Sequence, residues 1–246
     1  MRPIITLVTG EAAAPVREAR GNFADWIKES AGEAWTGPWQ TFDVRTDAPL
    51  PAVSAAAAFV LTGSASSVTE RAPWMMRTEE YIRSIVRAGV PMLGICFGHQ
   101  LVAQALGGSV ERNPHGRELG TVTLEQTPAA RRDALFAGLP RSFLVNSSHV
   151  DSVVRLPEGA LILATTELEP IAAFSVGERT WGVQFHPEFD GEIVRGYVRA
   201  RSKIMLSEGL LPDRALAQAS DSPYGREMLR NFVKAAAGLP QPPILV

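Results

Sequence analysis

Apolar and polar positions follow two different rhythms along the chain, and the change falls near residue 120. Before it, short apolar runs are separated by stretches with three- and four-residue spacing. Ile4–Val8 is a β-branched run that ends at Thr9-Gly10, and it predicts a first strand. Residues 16–30 carry Phe23, Trp26 and Ile27 on one stripe, which predicts an amphipathic helix. A second strand is expected over residues 39–44 and a loop at Pro49-Leu50-Pro51. The small-apolar run at 55–61 is unbroken, as in a strand buried on both faces, and stops at Thr62-Gly63-Ser64. Residues 74–88 place Tyr81, Ile82, Ile85 and Val86 on one helical face, with Gly89 as the stop. Residues 90–95 predict another buried strand that passes at once into a helix through Leu106.

Beyond Gly120 the runs shorten, and turn residues such as Pro157-Glu158-Gly159 and Gly177-Glu178 separate them. Strands are expected at 121–125, 142–146, 160–165, 171–176 and 180–185, and helices at 189–208, about 212–219 and 223–237. Ser222 is the expected N-cap of the last helix and Pro223 its first residue. The predicted class is α/β: a mostly parallel central sheet flanked by helices, with a small antiparallel extension and a helical C-terminal tail. No Gly/Ser-rich linker or internal repeat divides the chain. One domain over residues 1–246 is the simplest organisation, with a core at 4–190 and the tail at 191–246.

Charge and composition narrow the function. The 246 residues hold 24 Lys and Arg against 26 Asp and Glu, a net charge of −2, so no electrostatic footprint for nucleic acid is present. No apolar stretch approaches the roughly 18 residues of a membrane span, and none is expected. A single cysteine cannot form an internal disulfide, and this points to a reducing, cytoplasmic setting.

That cysteine, Cys96, stands in Gly94-Ile95-Cys96-Phe97-Gly98, between a predicted strand and a predicted helix. Gly-x-Cys-x-Gly in that context has the form of a nucleophile elbow with sulfur in place of the serine oxygen. Glycines on both sides relieve clashes in a sharp turn, and the helix N-terminus favours a thiolate. The Phe97 N–H can point at an oxyanion. A structural buried thiol is the usual role of a lone cysteine, but the carboxyl end of a parallel strand is where open α/β sheets bind ligands.

A thiol nucleophile needs a base. Of the four histidines, His99 lies in the elbow helix and His115 in a loop; His149 and His186 are better placed. Pro187 holds His186 extended, so Glu188 falls on the same side of the chain and can orient the imidazole. A Cys96–His186–Glu188 triad is expected. A metal site from His149, His186 and Glu188 lacks the spacing of zinc ligands, so neither a metal nor a cofactor is expected.

Gly94-Ile95-Cys96-Phe97-Gly98-His99-Gln100 together with Gln184-Phe185-His186-Pro187-Glu188 resembles the class I glutamine amidotransferases. Supporting matches lie between them: the loop at 61–68 resembles the family's oxyanion strand, Arg117-Glu118-Leu119-Gly120 a turn before the antiparallel part, and Ser148-His149-Val150-Asp151 the Ser-His-Gly-Asp segment of the GMP-synthetase-like group. The resemblance covers about residues 4–190. It implies a flavodoxin-like fold and hydrolysis of glutamine, or another γ-glutamyl compound, through a thioester on Cys96. It further implies an oxyanion hole from the N–H groups of Phe97 and the Gly63-Ser64 loop. Gln100 and the backbone around His149, Val150 and Asp151 would hold the amino-acid end of the substrate. Gly63-Ser64 replaces the frequent Gly-Gly-Pro, and Val150 stands where that group has glycine, so the pocket is expected to be altered at both places. The chain has no Ser-Gly-Gly-x-Asp-Ser loop and no Gly-x-x-x-x-Gly-Lys-[Ser/Thr] loop, so any ammonia-accepting synthetase is expected outside these residues. Two working modes follow: an amidotransferase subunit feeding a separate synthetase, or a stand-alone γ-glutamyl hydrolase. A third, a non-catalytic regulatory relative, is disfavoured by the intact Cys96, His186 and Glu188. The tail could cap the sheet edge, pair copies into a homo-oligomer or dock a partner.

Overall fold

The computed structural model describes residues 1–238; residues 239–246, the end of the expected tail, lie outside the described residues. The continuous apolar runs become β1 (Ile4–Val8), β3 (Ala58–Leu61) and β4 (Met92–Ile95), with β2 (Trp39–Asp43) beside β1 at the sheet edge. Alternation along β1 sends Ile4 into one apolar layer and Ile5 into the other, both fully buried. On one face pack α1 (Ala14–Arg20), α2 (Phe23–Ala31), α5 (Gly191–Ser207) and α7 (Pro223–Ala237); on the other pack α3 (Pro73–Arg87) and α4 (Phe97–Ala105).

The sheet has nine strands, in the order β2-β1-β3-β4-β11-β10-β9-β6-β7. It is parallel from β2 through β11 (Thr180–Val183). From there it turns antiparallel through β10 (Ala173–Val176), β9 (Ala160–Thr165), β6 (Glu118–Gln126) and β7 (Ser142–His149). The antiparallel extension therefore continues the same sheet. A separate ribbon pairs β5 (Ser109–Arg112) with β8 (Asp151–Arg155).

Two local features differ from the expectation. The helix expected over 16–30 is two helices, broken at Gly21, whose φ of 85° suits glycine. Asn22 then caps α2: its Oδ1 accepts from the Phe23 N–H, and Asp25 accepts in return from the Asn22 N–H at 3.1 Å. Neither β5 nor β8 was expected, since Ser-Val-Glu-Arg and Asp-Ser-Val-Val-Arg are short and largely polar. The C-terminal helices fall where expected, with α6 at Pro212–Gln218 and Ser222 Oγ accepting from the Gly225 N–H at 3.2 Å to cap α7.

Candidate active site

Three neighbouring parallel strands, β3, β4 and β11, end at the same edge, and each releases one part of the site there. The register places Leu61 beside Gly94 and Val183 beside Ile95. The Cys96 N–H extends the ladder by donating to the Val183 carbonyl at 2.8 Å. The chain then turns sharply, leaving Cys96 at φ 52°, ψ −105°, a conformation that is costly for a residue with a side chain. The glycines make the turn possible. A Cβ on Gly94 would come within 2.4 Å of the Gly98 carbonyl oxygen, and one on Gly98 within 2.6 Å of the Leu61 carbonyl oxygen. Cys96 is the N-cap of α4, so the Phe97 N–H opens that helix, where N–H groups have no intrahelical partner.

From the end of β11 the chain continues to His186, whose N–H donates to the Asn146 carbonyl at 2.8 Å. Its ring lies against Phe189, centroids 3.9 Å apart, and is near enough to the Cys96 thiol for each to shift the other's titration, while the thiol itself donates to the Ser148 carbonyl at 3.8 Å. The His186 Nδ1 meets Glu188 Oε1 at 2.8 Å. Both His186 and Glu188 are buried. Burial opposes the imidazolium, but the Glu188 carboxylate and the Cys96 sulfur outweigh it and push His186 up to about 10. Burial likewise opposes the thiolate, yet the charge of His186, with help from His149, holds the Cys96 thiol below its ordinary value. Of the expected trio, His186 and Glu188 are hydrogen-bonded, and Cys96 lies at the end of the neighbouring strand.

Gly63 follows β3 and faces His186: a Cβ there would sit 2.9 Å from the ring's Cε1. The loop is fixed from beneath by Thr9, whose Oγ1 donates to the Thr62 carbonyl at 2.8 Å. A cleft of about 70 Å³ opens beside the sulfur, lined by Ser64, Phe97, Gln100, His149, Val150 and Asp151. The fourth wall comes from β7, β8 and their turn. There His149 is buried, with Nδ1 3.1 Å from the Asp151 carbonyl and Nε2 3.3 Å from Glu118 Oε1. Burial disfavours charge on His149, but Glu118 and then Glu169 raise its pKa. A carbonyl and a carboxylate both only accept, so both ring nitrogens donate. Gln100 is buried rather than solvated: its Nε2 donates to the Asp151 carbonyl at 2.8 Å and to Gln184 Oε1 at 3.0 Å. Ser67 Oγ donates to Asp151 Oδ2 at 2.5 Å and ties this wall to the loop after β3.

The remaining histidines stay apart from the thiol. His99 is fully buried against Phe174, and burial lowers it to about 3, so it is neutral; His115 is exposed. Among the described residues no cluster of His, Cys, Asp and Glu suits a metal ion, and no helix is long and apolar enough to cross a membrane. Three contributors were not singled out from sequence. Asn146 presents its carbonyl to His186 while its side-chain Nδ2 holds the Phe189 carbonyl at 3.0 Å. Glu169 supports His149, and Arg201 of α5 lines the cleft. The polar run Asn146-Ser147-Ser148-His149 inside a strand was the available signal for the first; nothing in the local pattern marks the other two.

Comparison with known proteins shows the family and the fold. The family glutamine amidotransferase class-I matches residues 38–196. The chain is 37% identical over 188 residues, 75% of its length, to the GMP synthase (glutamine-hydrolyzing) of Leifsonia xyli subsp. xyli. It spans only 30% of that relative's length. Among solved structures, a glutamine amidotransferase from Thermotoga maritima superposes with a TM-score of 0.76, 21% identity, and coverage of 96% of this chain and 99% of the other. A glutamine amido transferase from Methylobacillus flagellatus gives 0.69, 23%, 98% and 96%. At these identities the two structures speak for the fold.

Proposed function

Given that the chain belongs to the class I glutamine amidotransferases, we propose that it cleaves a γ-glutamyl carboxamide through a thioester on Cys96, with glutamine as the simplest substrate. The observation that carries this reading is the strained Cys96 turn at the end of β4 beside the buried His186, whose Nδ1 meets Glu188 Oε1 at 2.8 Å just past the neighbouring strand β11. The thiolate attacks the γ-carbonyl. A C–S bond forms, the carbonyl electrons move to oxygen, and the N–H groups of Phe97 and the Gly63-Ser64 loop receive the oxyanion. The C–N bond then breaks as the His186 imidazolium gives its proton to the leaving nitrogen. Neutral His186 next takes a proton from water, a C–O bond forms, and the C–S bond breaks to release glutamate. Glu188 orients the ring and stabilises its charged form. Gln100, His149, Val150 and Asp151 bind the amino-acid end. The whole chain works as one cytoplasmic domain without a cofactor, and a separate synthetase would receive the ammonia in the subunit mode.

The test is ammonia and glutamate release from glutamine by the purified chain, beside Cys96→Ala. Equal turnover by the variant would overturn the reading. Turnover seen only after adding a co-purifying synthetase would assign the subunit mode; turnover without one would assign the stand-alone mode.

A further inference from the structure

The donors and acceptors that line the cleft beside Cys96 are unevenly used. Gln100 commits both Nε2 hydrogens, to the Asp151 carbonyl at 2.8 Å and to Gln184 Oε1 at 3.0 Å, so its Oε1 is left, an acceptor. Both ring nitrogens of His149 are taken, by the Asp151 carbonyl and by Glu118. Arg117 is neutralised within the fold: its Nε donates to Glu208 Oε2 at 2.7 Å and its Nη2 to Oε1 at 3.1 Å. Arg201 completes the lining and is the exception. Its guanidinium lies over the Tyr197 ring, 5.7 Å from the centroid, no carboxylate of the described residues pairs with it, and its Nε is buried without a hydrogen-bond partner. It is the cleft cation that the fold leaves without an anion.

The helix that carries Arg201 stands on the wall built from Gln100 and residues 148–151. Helix α5 packs against β6 and β7, and Glu208 at its end holds Arg117, the neighbour of the Glu118 that meets His149. A zwitterionic amino-acid end needs acceptors for its ammonium and donors for its carboxylate. Gln100 Oε1 suits the first. The Phe97 N–H and the Gly63-Ser64 loop are reserved for the oxyanion in the proposed chemistry, so the second need falls to Arg201.

Resting on the cysteine-thioester reading with glutamine as substrate, we propose that Arg201 is a specificity-determining residue that binds the substrate's α-carboxylate and so restricts the site to glutamyl groups whose α-carboxyl is free. Glutamine has a single carboxylate, so the anion that meets Arg201 is the α-carboxylate. The charge-assisted pair fixes the amino-acid end while the γ-carbonyl reaches Cys96. No bond made or broken in the reaction changes. A glutamine whose α-carboxyl is tied up in an amide or a peptide bond leaves the guanidinium unpaired and is rejected.

The experiment measures kcat and KM for glutamine and for its α-amide, glutaminamide, with the wild type, Arg201→Ala and Arg201→Lys, and with a co-purifying synthetase added where turnover requires it. Hydrolysis at the γ-position is read by mass spectrometry. The wild type should prefer glutamine by about tenfold or more in kcat/KM. Arg201→Ala should lower kcat/KM for glutamine by about 10- to 100-fold, mostly through KM, while glutaminamide stays within about threefold. Arg201→Lys should recover part of the loss. Unchanged glutaminamide turnover shows that each variant is folded, whereas a role confined to packing on Tyr197 would weaken both substrates alike. Such equal losses, a loss carried by kcat alone, or a wild type that does not distinguish acid from amide would overturn the proposal while leaving the thioester reading intact. A wild type inert to glutamine, alone and with the synthetase, would overturn both.

Discussion

The parallel and antiparallel halves of the sheet meet at β11, and they contribute different things to the same cleft. The parallel half delivers Cys96, the Gly63 loop and, just past β11, His186 from the ends of three adjacent strands. Nothing there depends on a long reach: parallel register alone brings residues 63, 96 and 186 to one edge. The antiparallel half delivers His149 through cross-strand pairing, with Glu118 opposite it in the β6–β7 register, and Val150 and Asp151 follow at the turn into the β5–β8 ribbon. On the proposed reading the first half sets the bond-making geometry, and the second shapes what can be presented to it. Damage to the first should fall on kcat, and damage to the second on KM and on stability.

The largest effect expected in this division is that of His186→Asn, which removes the proposed proton carrier from the parallel side. A loss of about 100- to 10,000-fold in kcat should appear in steady-state assays. Gly63→Ala comes next. A Cβ 2.9 Å from the His186 ring must displace the ring or the loop, and about a 100-fold fall in kcat is expected. Normal kcat in that variant would show that the loop does not fix the ring. Mutations on the antiparallel side should be milder in kcat. His149→Gln removes a buried charged partner of Glu118, and about 2 kcal/mol of stability should be lost in denaturant titrations. Because the folded value of His149 is raised and that of Glu118 lowered, their mutual contribution is complete between the ordinary carboxylate and imidazole values, and it is lost as pH rises through the folded His149 value or falls through that of Glu118. The destabilisation by His149→Gln should accordingly be larger at pH 6 than at alkaline pH. The same variant loses one of the positive charges acting on Cys96, so its thiol should titrate slightly higher when followed by iodoacetamide alkylation.

The two halves also differ in how much the sequence exposes. In the parallel half the strands are buried on both faces, so they read as continuous apolar runs, and a motif between glycines marks the turn that follows. Cys96 and His186 were legible because each lies within three residues of such a strand's end, and Glu188 follows His186 by two positions. The break at Gly21 was hidden, since Phe23, Trp26 and Ile27 keep helical spacing on their own side of it. Ser109–Arg112 and Asp151–Arg155 were hidden because only pairing with each other makes them strands. The contact of His149 with Glu118 spans 31 positions and depends on register. Arg201 sits on a helix whose face cannot be assigned from pattern alone: its stem belongs to a solvent-facing run, and its meaning comes from Tyr197 and the cleft beneath it.

The most direct test of the central claim is to quench the chain during turnover of glutamine, digest it, and locate the acyl group by mass spectrometry. One glutamyl group on the peptide containing Cys96, accumulating further in a variant slowed at His186 and absent from Cys96→Ala, is the predicted result. Turnover that proceeds with the peptide unmodified, or an acyl group on another residue, would contradict it.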